Sequence, residues 1–164
     1  MCTTKTCPVS GSNYLTTAGS QAQAKYTYST HNGHAVVTSA SVTMTTADLD
    51  KGTDTTSCTQ DYSRTLDDDG VQDCDAGHIH AHRLGGAGTE PINIFPQDLS
   101  INRGEYAQFE GDIYACLSTG GATKASLSWS FSYESTSHTK PNGVTYSASF
   151  TSGSCSSMTK KFTN

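Results

Sequence analysis

The sequence predicts an α+β fold in which a twisted antiparallel sheet packs against a short helix. Apolar and polar residues alternate within residues 25–46 and again within residues 125–150, as they do in strands with one buried face. Between these runs, apolar side chains recur at steps of three and four residues, the spacing of one helix face. These residues are Tyr106, Phe109, Ile113 and Leu117 (or Cys116). Without linkers or repeats, residues 1–164 are expected to form one domain.

The N-terminal part begins with a polar stretch, residues 1–24, which we expect to be an irregular arm held by cysteines. Residues 25–46 then form a predicted hairpin, because Asn32-Gly33 between alternating runs is a strong turn signal. His31 and His34 flank this turn. Turn chemistry favours exposed residues at the hairpin tip over a metal site for these two histidines.

Residues 47–72 form an acidic, turn-rich stretch. Asp67-Asp68-Asp69-Gly70 with Asp73 is similar to a calcium loop, but the spaced ligands and closing Glu of an EF-hand are missing. We therefore favour a solvated loop. Arg64 lies in the same stretch and is a candidate to approach a site from a neighbouring strand.

The C-terminal part is predicted to be a second hairpin, turning at Pro141-Asn142-Gly143. Trp129, Phe131 and Tyr133 alternate along its first strand, so we expect them in the core instead of on a base-stacking surface. Lys160 and Lys161 near the end of the chain are expected to be solvated.

Cysteine content predicts three disulfides and an oxidising compartment, and therefore a secreted, extracellular protein. Of the pairings that six cysteines allow, we expect Cys2–Cys7, Cys58–Cys74 and Cys116–Cys155. Because no signal peptide precedes Cys2, we expect that a leader has been removed. No apolar run approaches the roughly 18 residues of a membrane span. The absence of a C-x-x-C pair weighs against a cysteine zinc site.

The net charge of −5 weighs mildly against a nucleic-acid-binding protein, because phosphate binding depends on Lys and Arg. It does not exclude an enzyme that combines a metal ion with a local basic patch. The charge predicts weak, salt-sensitive binding of such a substrate.

Residues 73–117 contain the side chains best suited to chemistry. Asn102 stands where the helix N-cap is expected, with Glu105 three residues later as the capping-box partner. Asn102 and Glu110 are eight residues apart, so they face roughly the same direction on a helix. His78 precedes them on the strand side. A neutral imidazole opposite an oxygen-ligated cation suits phosphodiester hydrolysis, because the imidazole accepts a proton from water while the cation offsets negative charge.

Four motifs in this segment occur in a fixed order with short separations: Asp75-Ala76-Gly77-His78, Asn93-Ile94-Phe95-Pro96-Gln97, Asn102-Arg103-Gly104, and Glu110. In order and spacing they resemble the DNA/RNA non-specific endonuclease family, whose active site is a ββα-metal motif. Leu84-Gly85-Gly86 after the histidine is similar to the compact secreted and toxin-type branch of that family. The resemblance implies an endonuclease that cuts DNA and RNA through backbone contacts and leaves 5′-phosphate ends. We expect the protein to be a monomer.

The resemblance also implies a role for each of these residues. His78 would be the general base, and Asn102 and Glu110 would hold Mg²⁺, with Mn²⁺ as an alternative. Asn93 would hydrogen-bond the phosphate or support the site, and Asp75 would fix the loop and the His78 tautomer. Gly77, Gly85 and Gly86 would permit close backbone approach. A protein inhibitor is a further possible partner.

Ala76 departs from the family pattern, which has Arg at this position. We expect Arg83 or Arg103 to supply the missing positive charge. The same departure supports a competing hypothesis, a secreted effector or toxin scaffold whose catalysis is impaired.

A histidine cluster gives a third hypothesis. His78, His80 and His82 alternate, and on a continuous strand they would share one face and could bind zinc or copper. Loop geometry after His78 would break this alternation.

Overall fold

The main structural feature is a six-stranded antiparallel sheet. The computed structural model describes residues 11–16, 22–66 and 74–164. The sheet contains β1 (Gly11–Thr16), β2 (Gln23–His31), β3 (His34–Thr45), β6 (Lys124–Ser132), β7 (Gly143–Thr151) and β8 (Met158–Thr163). Its strand order is β1-β2-β3-β6-β7-β8. The predicted α+β class with an antiparallel sheet is therefore confirmed, whereas the single domain over residues 1–164 stays a prediction.

A second, smaller ribbon lies between β3 and β6 in the sequence. It pairs β4 (Cys74–His78) with β5 (Ile94–Asp98) in antiparallel register. Helix α1 (Ser57–Thr65) precedes the ribbon, and α2 (Leu99–Arg103) and α3 (Glu105–Ser118) follow it. Three short 3-10 turns occur at Thr46–Asp48, His82–Leu84 and Pro91–Asn93.

The core forms where the inner face of the large sheet meets α3. Every second residue of β6 is buried, including Trp129 and Phe131, which confirms that these aromatic residues are core. The predicted helix face is also confirmed, because its residues are almost fully buried. They are Tyr106, Phe109, Ile113 and Leu117. Burial of each such side chain stabilises the fold by about 1.5–3 kcal/mol.

The first hairpin turns at Asn32 and Gly33, whose φ angles are 48° and 79°, as predicted for Asn-Gly. His34 is exposed, but His31 is only 8% exposed and its Nδ1 lies 2.8 Å from the His138 carbonyl oxygen. The expectation that both histidines are exposed is therefore wrong for His31. The inward alternation of β2 places this residue on the core face, against Tyr133.

Helix α1 lies in the acidic, turn-rich stretch, and the sequence did not reveal it. The helix is capped by reciprocal hydrogen bonds between Thr56 and Thr59, in which each side chain accepts from the other residue's backbone N–H. Threonine is not the acidic or amide residue expected at the third position of a capping box. Thr59 also donates to the Gly88 carbonyl at 2.8 Å, so a tertiary contact supports the helix.

The start of the helix that was predicted to be capped by Asn102 also differs from the prediction. Asp98 is the N-cap, accepting from the backbone N–H groups of Ser100 and Ile101, and α2 begins four residues earlier than expected. The chain then breaks at Gly104 before α3 begins. The prediction that Asn102 caps the helix with Glu105 is therefore wrong. Asn102 lies inside α2, where its side chain is not needed for capping.

Cys116 and Cys155 form the predicted disulfide, with a Cα–Cα distance of 5.9 Å, and connect α3 to the segment between β7 and β8. The predicted Cys58–Cys74 pairing is wrong, because Cys58 is disulfide-bonded while Cys74 is a half-buried thiol. The α1 side chains that line a cleft with Cys74 are Gln60, Ser63 and Arg64. On an α-helix Cys58 lies on roughly the opposite side from these three.

Cys2–Cys7 and the acidic segment at residues 67–73 lie outside the described residues. In the described part of the chain, no helix is long and apolar enough to cross a membrane.

Candidate active site

The β4–β5 ribbon positions the first part of the site. Gly77 lies so close to β5 that a Cβ atom there would be 2.2 Å from the Gln97 Oε1 atom. Gly77 therefore makes room for the Gln97 side chain of β5, whereas the predicted close approach of another backbone segment is not what the structure shows at this glycine. His78 is the last residue of β4 and is opposite Ile94 in the ribbon. The imidazole therefore projects from the end of a paired strand.

The orientation of His78 is fixed by a residue that the sequence did not reveal, Thr53. His78 Nε2 lies 3.0 Å from the Thr53 carbonyl oxygen. A carbonyl can only accept, so Nε2 carries the proton and Nδ1 presents its lone pair. Burial lowers the pKa of His78 and outweighs this hydrogen bond, which raises it. The imidazole is therefore neutral near pH 7 and able to accept a proton at Nδ1.

Thr53 is itself held firmly. Its backbone N–H donates to the Gly86 carbonyl, and its carbonyl accepts from the Gly88 N–H, each at 3.0 Å. Gly86 is required here because a Cβ atom would lie 1.6 Å from the His80 carbonyl oxygen. Close approach at Gly86 was predicted and is confirmed. The loop after His78 and the loop around Thr53 thus form one hydrogen-bonded unit.

Four of the predicted residues line one cleft of about 190 Å³: His78, Arg83, Asn102 and Glu110. Glu110 is only 9% exposed, and burial raises the pKa of its carboxyl to about 8. The nearby Arg83 opposes this rise, and its guanidinium lies beside Gly111, the next residue of α3. Arg83 is therefore the arginine that faces Glu110 across the cleft.

Asp75 binds two of the predicted residues, Asn102 and Arg103. Its Oδ2 accepts from Asn102 Nδ2 at 2.7 Å, and its two oxygens accept from Arg103 at 3.0 Å each. Because a carboxylate cannot donate, the amide nitrogen of Asn102 must face Asp75, which leaves Oδ1 as an acceptor. Asp75 thus orients Asn102. Asp75 was also predicted to fix the His78 tautomer, but the Thr53 carbonyl does this instead. Arg103 is engaged by Asp75 and does not line the cleft.

Asn93 is fully buried and all its amide atoms are bonded. Its Oδ1 accepts from the Tyr26 hydroxyl at 2.7 Å and from the His80 N–H at 2.9 Å. Its Nδ2 donates to the carbonyl oxygens of His80 and Ala87 at 3.0 and 3.1 Å. No amide group remains for a phosphate. Of the two predicted roles of Asn93, the geometry allows only support of the site.

The three histidines of the alternating run diverge. His80 is fully buried beside Trp129, where its Nε2 donates to the Leu84 carbonyl at 2.7 Å and burial lowers its pKa to about 4. His82 faces Asp54 instead, with its Nδ1 3.0 Å from a carboxylate oxygen. Among the described residues, no three His, Cys, Asp or Glu side chains converge on a possible metal position. The histidine-cluster hypothesis is therefore wrong, because β4 ends at His78.

The donors at this cleft suit a hard cation. The Asn102 amide oxygen and the Glu110 carboxylate are both oxygen ligands, and Mg²⁺ typically binds few protein oxygens while keeping several waters. Burial makes the Glu110 carboxylate costly to ionise, and a cation would offset that cost. The residues present therefore fit a magnesium or manganese ion.

A second, larger cleft of about 620 Å³ adjoins the first, and the two share His78 and Asn102. One wall is helix α1, with Gln60 and Arg64 among its residues. The sequence did not reveal this wall, because α1 was not predicted.

Comparison with known proteins places this chain beside a nuclease family. The model of the DNA/RNA non-specific endonuclease family matches residues 16–150. The chain is 35% identical over 116 residues to a probable deoxyribonuclease RhsA from Dickeya dadantii. That alignment covers 71% of this chain and only 8% of the relative. The chain therefore spans less than a tenth of the relative's length. The family match includes every site residue from Asp75 to Glu110.

Proposed function

Since this chain belongs to the DNA/RNA non-specific endonuclease family, we propose that it is a secreted nuclease that hydrolyses DNA and RNA with a divalent cation and His78 as general base. The hydrogen bond between His78 and Thr53 carries this proposal. It leaves a neutral imidazole with an accepting Nδ1 in the same cleft as Arg83, Asn102 and Glu110.

In the proposed reaction, His78 Nδ1 accepts a proton from a water molecule as the water oxygen attacks phosphorus in line with the leaving 3′-oxygen. The imidazole then carries a positive charge, which the Thr53 carbonyl stabilises through the Nε2–H bond. General-base assistance of this kind contributes about 10²–10⁴ in rate. The P–O3′ bond breaks, the leaving 3′-oxygen takes a proton from a solvent water to become a 3′-hydroxyl, and the 5′-phosphate stays on the second product.

Asn102 Oδ1 and Glu110 would hold Mg²⁺ or Mn²⁺, which supplies Lewis-acid stabilisation of charge on the phosphate and the leaving oxygen. Asp75 keeps Asn102 in the required orientation. Arg83 takes the place of the arginine missing at Ala76, because it lies in this cleft, whereas Arg103 neutralises Asp75.

Substrate recognition is proposed to depend on the sugar-phosphate backbone, so DNA and RNA are both cut with little sequence preference. Disulfide Cys116–Cys155 supports an oxidising compartment and hence secretion. That the protein is a monomer, and that a protein inhibitor binds it, both stay predictions.

The test is digestion of plasmid DNA and total RNA by the purified, oxidised protein, in Mg²⁺ and in EDTA. We compare wild type with His78→Ala and with His34→Ala, a histidine exposed at the hairpin tip. We expect cleavage that requires the cation, survives His34→Ala and falls at least 100-fold in His78→Ala. Mass spectrometry of short products should show 5′-phosphate ends.

Two results would contradict the proposal in different ways. Cleavage that persists in His78→Ala would keep the nuclease and remove His78 as its base. No cleavage with Mg²⁺ or Mn²⁺ would favour the impaired scaffold, with Ala76 as the decisive departure from the family.

A further inference from the structure

We propose that the cleft beside α1 binds the backbone of the substrate strand at the phosphate adjacent to the scissile one, with Arg64 and Gln60 as its phosphate-binding residues. We call it the α1 cleft. This inference rests on the proposed function, because it places the scissile phosphate at His78.

The connection between the two clefts is the first argument. The smaller one, about 190 Å³, has room for a phosphate group and a cation, but little for the rest of a strand. The α1 cleft, about 620 Å³, opens from the same two residues, His78 and Asn102. A strand cut at its interior continues on both sides of the scissile phosphate. The α1 cleft is the larger space next to His78 into which it can extend.

The chemistry of the α1 wall is the second argument. Gln60 and Arg64 are four residues apart on α1 and both line the cleft, so they present an amide and a guanidinium on one helix face. The Arg64 side chain is 65% exposed and bonds Asp61 at 2.7 Å. Exposed ion pairs of this type are weak, so a phosphate can replace Asp61 as the partner of the guanidinium.

Among the described carboxylates that line the α1 cleft, Asp75 is paired with a guanidinium. Asp75 is held by Asn102 and by both arms of Arg103. Asp54 lies 3.0 Å from His82 Nδ1. A phosphate entering beside Arg64 would therefore meet a paired carboxylate at Asp75, which reduces repulsion, while Asp54 is 86% exposed and screened by solvent.

The described residues that line the α1 cleft include no Phe, Tyr or Trp side chain. Base stacking, which usually supports single-strand binding, needs such a side chain. The wall therefore suits contacts with phosphate and sugar, which carry no base information.

The experiment measures binding without cleavage, in the His78→Ala background and in EDTA. The probe is a fluorescein-labelled single-stranded DNA of twelve nucleotides, followed by fluorescence anisotropy at several salt concentrations. Arg64→Ala should weaken binding about tenfold and reduce the slope of log K against log salt by about one. Arg64→Lys should retain the slope, and Gln60→Ala should weaken binding about threefold without changing it.

Lys161→Ala is the matched control, because it removes the same charge from the outer face of β8, away from both clefts. Circular dichroism melting curves should show that all variants remain folded. The inference is overturned if Arg64→Ala weakens binding no more than Lys161→Ala, or if the His78→Ala parent does not bind the probe. Cleavage by the wild type is measured separately, so loss of the proposed activity would not be confused with loss of this binding site.

Discussion

Replacing Asn93 by alanine should destabilise the protein strongly, because this amide satisfies four buried groups. They are the Tyr26 hydroxyl, the His80 N–H, and the carbonyl oxygens of His80 and Ala87. Each buried group left without a partner costs about 1–3 kcal/mol. A water entering the vacated space could satisfy about three of the four. We therefore expect a loss of about 3 kcal/mol in the free energy of unfolding, against the 5–15 kcal/mol typical of a domain.

Urea unfolding followed by circular dichroism measures this loss as a shift of the midpoint at constant slope. The matched control is Asn142→Ala, in which an exposed asparagine loses one hydrogen bond from Ser132 and the cost should stay below about 1 kcal/mol. A loss below about 1 kcal/mol for Asn93→Ala would refute the claim that the hydrogen bonds of this buried amide stabilise the fold. If Asn93→Ala kept its stability but lost cleavage, a direct contact with the phosphate would again be the better explanation.

Three further predictions concern the pH dependence, the disulfide and the cleft. Because burial raises the pKa of Glu110 from 4.5 to about 8, the folded state keeps a proton that the unfolded chain releases. The buried His80, whose pKa is lowered to about 4, acts in the opposite direction, so the comparison is made against Glu110→Gln in EDTA. The unfolding free energy of the wild type should fall relative to that of Glu110→Gln as the pH rises from 4.5 to 8, and urea measurements that give the same difference at pH 5 and pH 8 would contradict this prediction. Joint replacement of Cys116 and Cys155 by serine should cost about 4 kcal/mol of unfolding free energy for a closed loop of 39 residues, and a urea-measured loss below 1 kcal/mol would exclude the loop-entropy explanation. Arg83→Ala should lower kcat on plasmid DNA about 10- to 100-fold, as expected for a lost electrostatic contact, and a change no larger than that of Lys161→Ala would remove Arg83 from the mechanism.

The periodic spacing of apolar residues in the sequence predicted the buried faces of the helix and strands correctly. The steps of three and four from Tyr106 to Leu117 and the alternation around Trp129 both describe which side chains leave water, and the structure buries them as predicted. Asn32-Gly33 was equally reliable because the left-handed backbone of the turn is a local property.

Predictions that depended on competing local partners were less reliable. Asn102 is a good N-cap by residue type, but Asp98 occupies that position four residues earlier. Helix α1 was missed because Thr56 and Thr59 cap one another and Thr59 bonds Gly88 in a distant loop. The Cys58–Cys74 pairing failed for the same reason, because the orientation of α1 decides which side faces Cys74.

The sequence by itself determined the chemical types in the site and their order: a histidine, two asparagines, a glutamate and the glycines that permit close packing. The tertiary structure decided what each side chain does. Thr53, 25 residues before His78, selects the imidazole tautomer, and Asn93 becomes a buried support. Arg83, not Arg103, lines the cleft with Glu110. The physical reason is that hydrogen bonds and ion pairs form between atoms that packing brings within about 3 Å, and the distance along the chain does not predict which atoms these are.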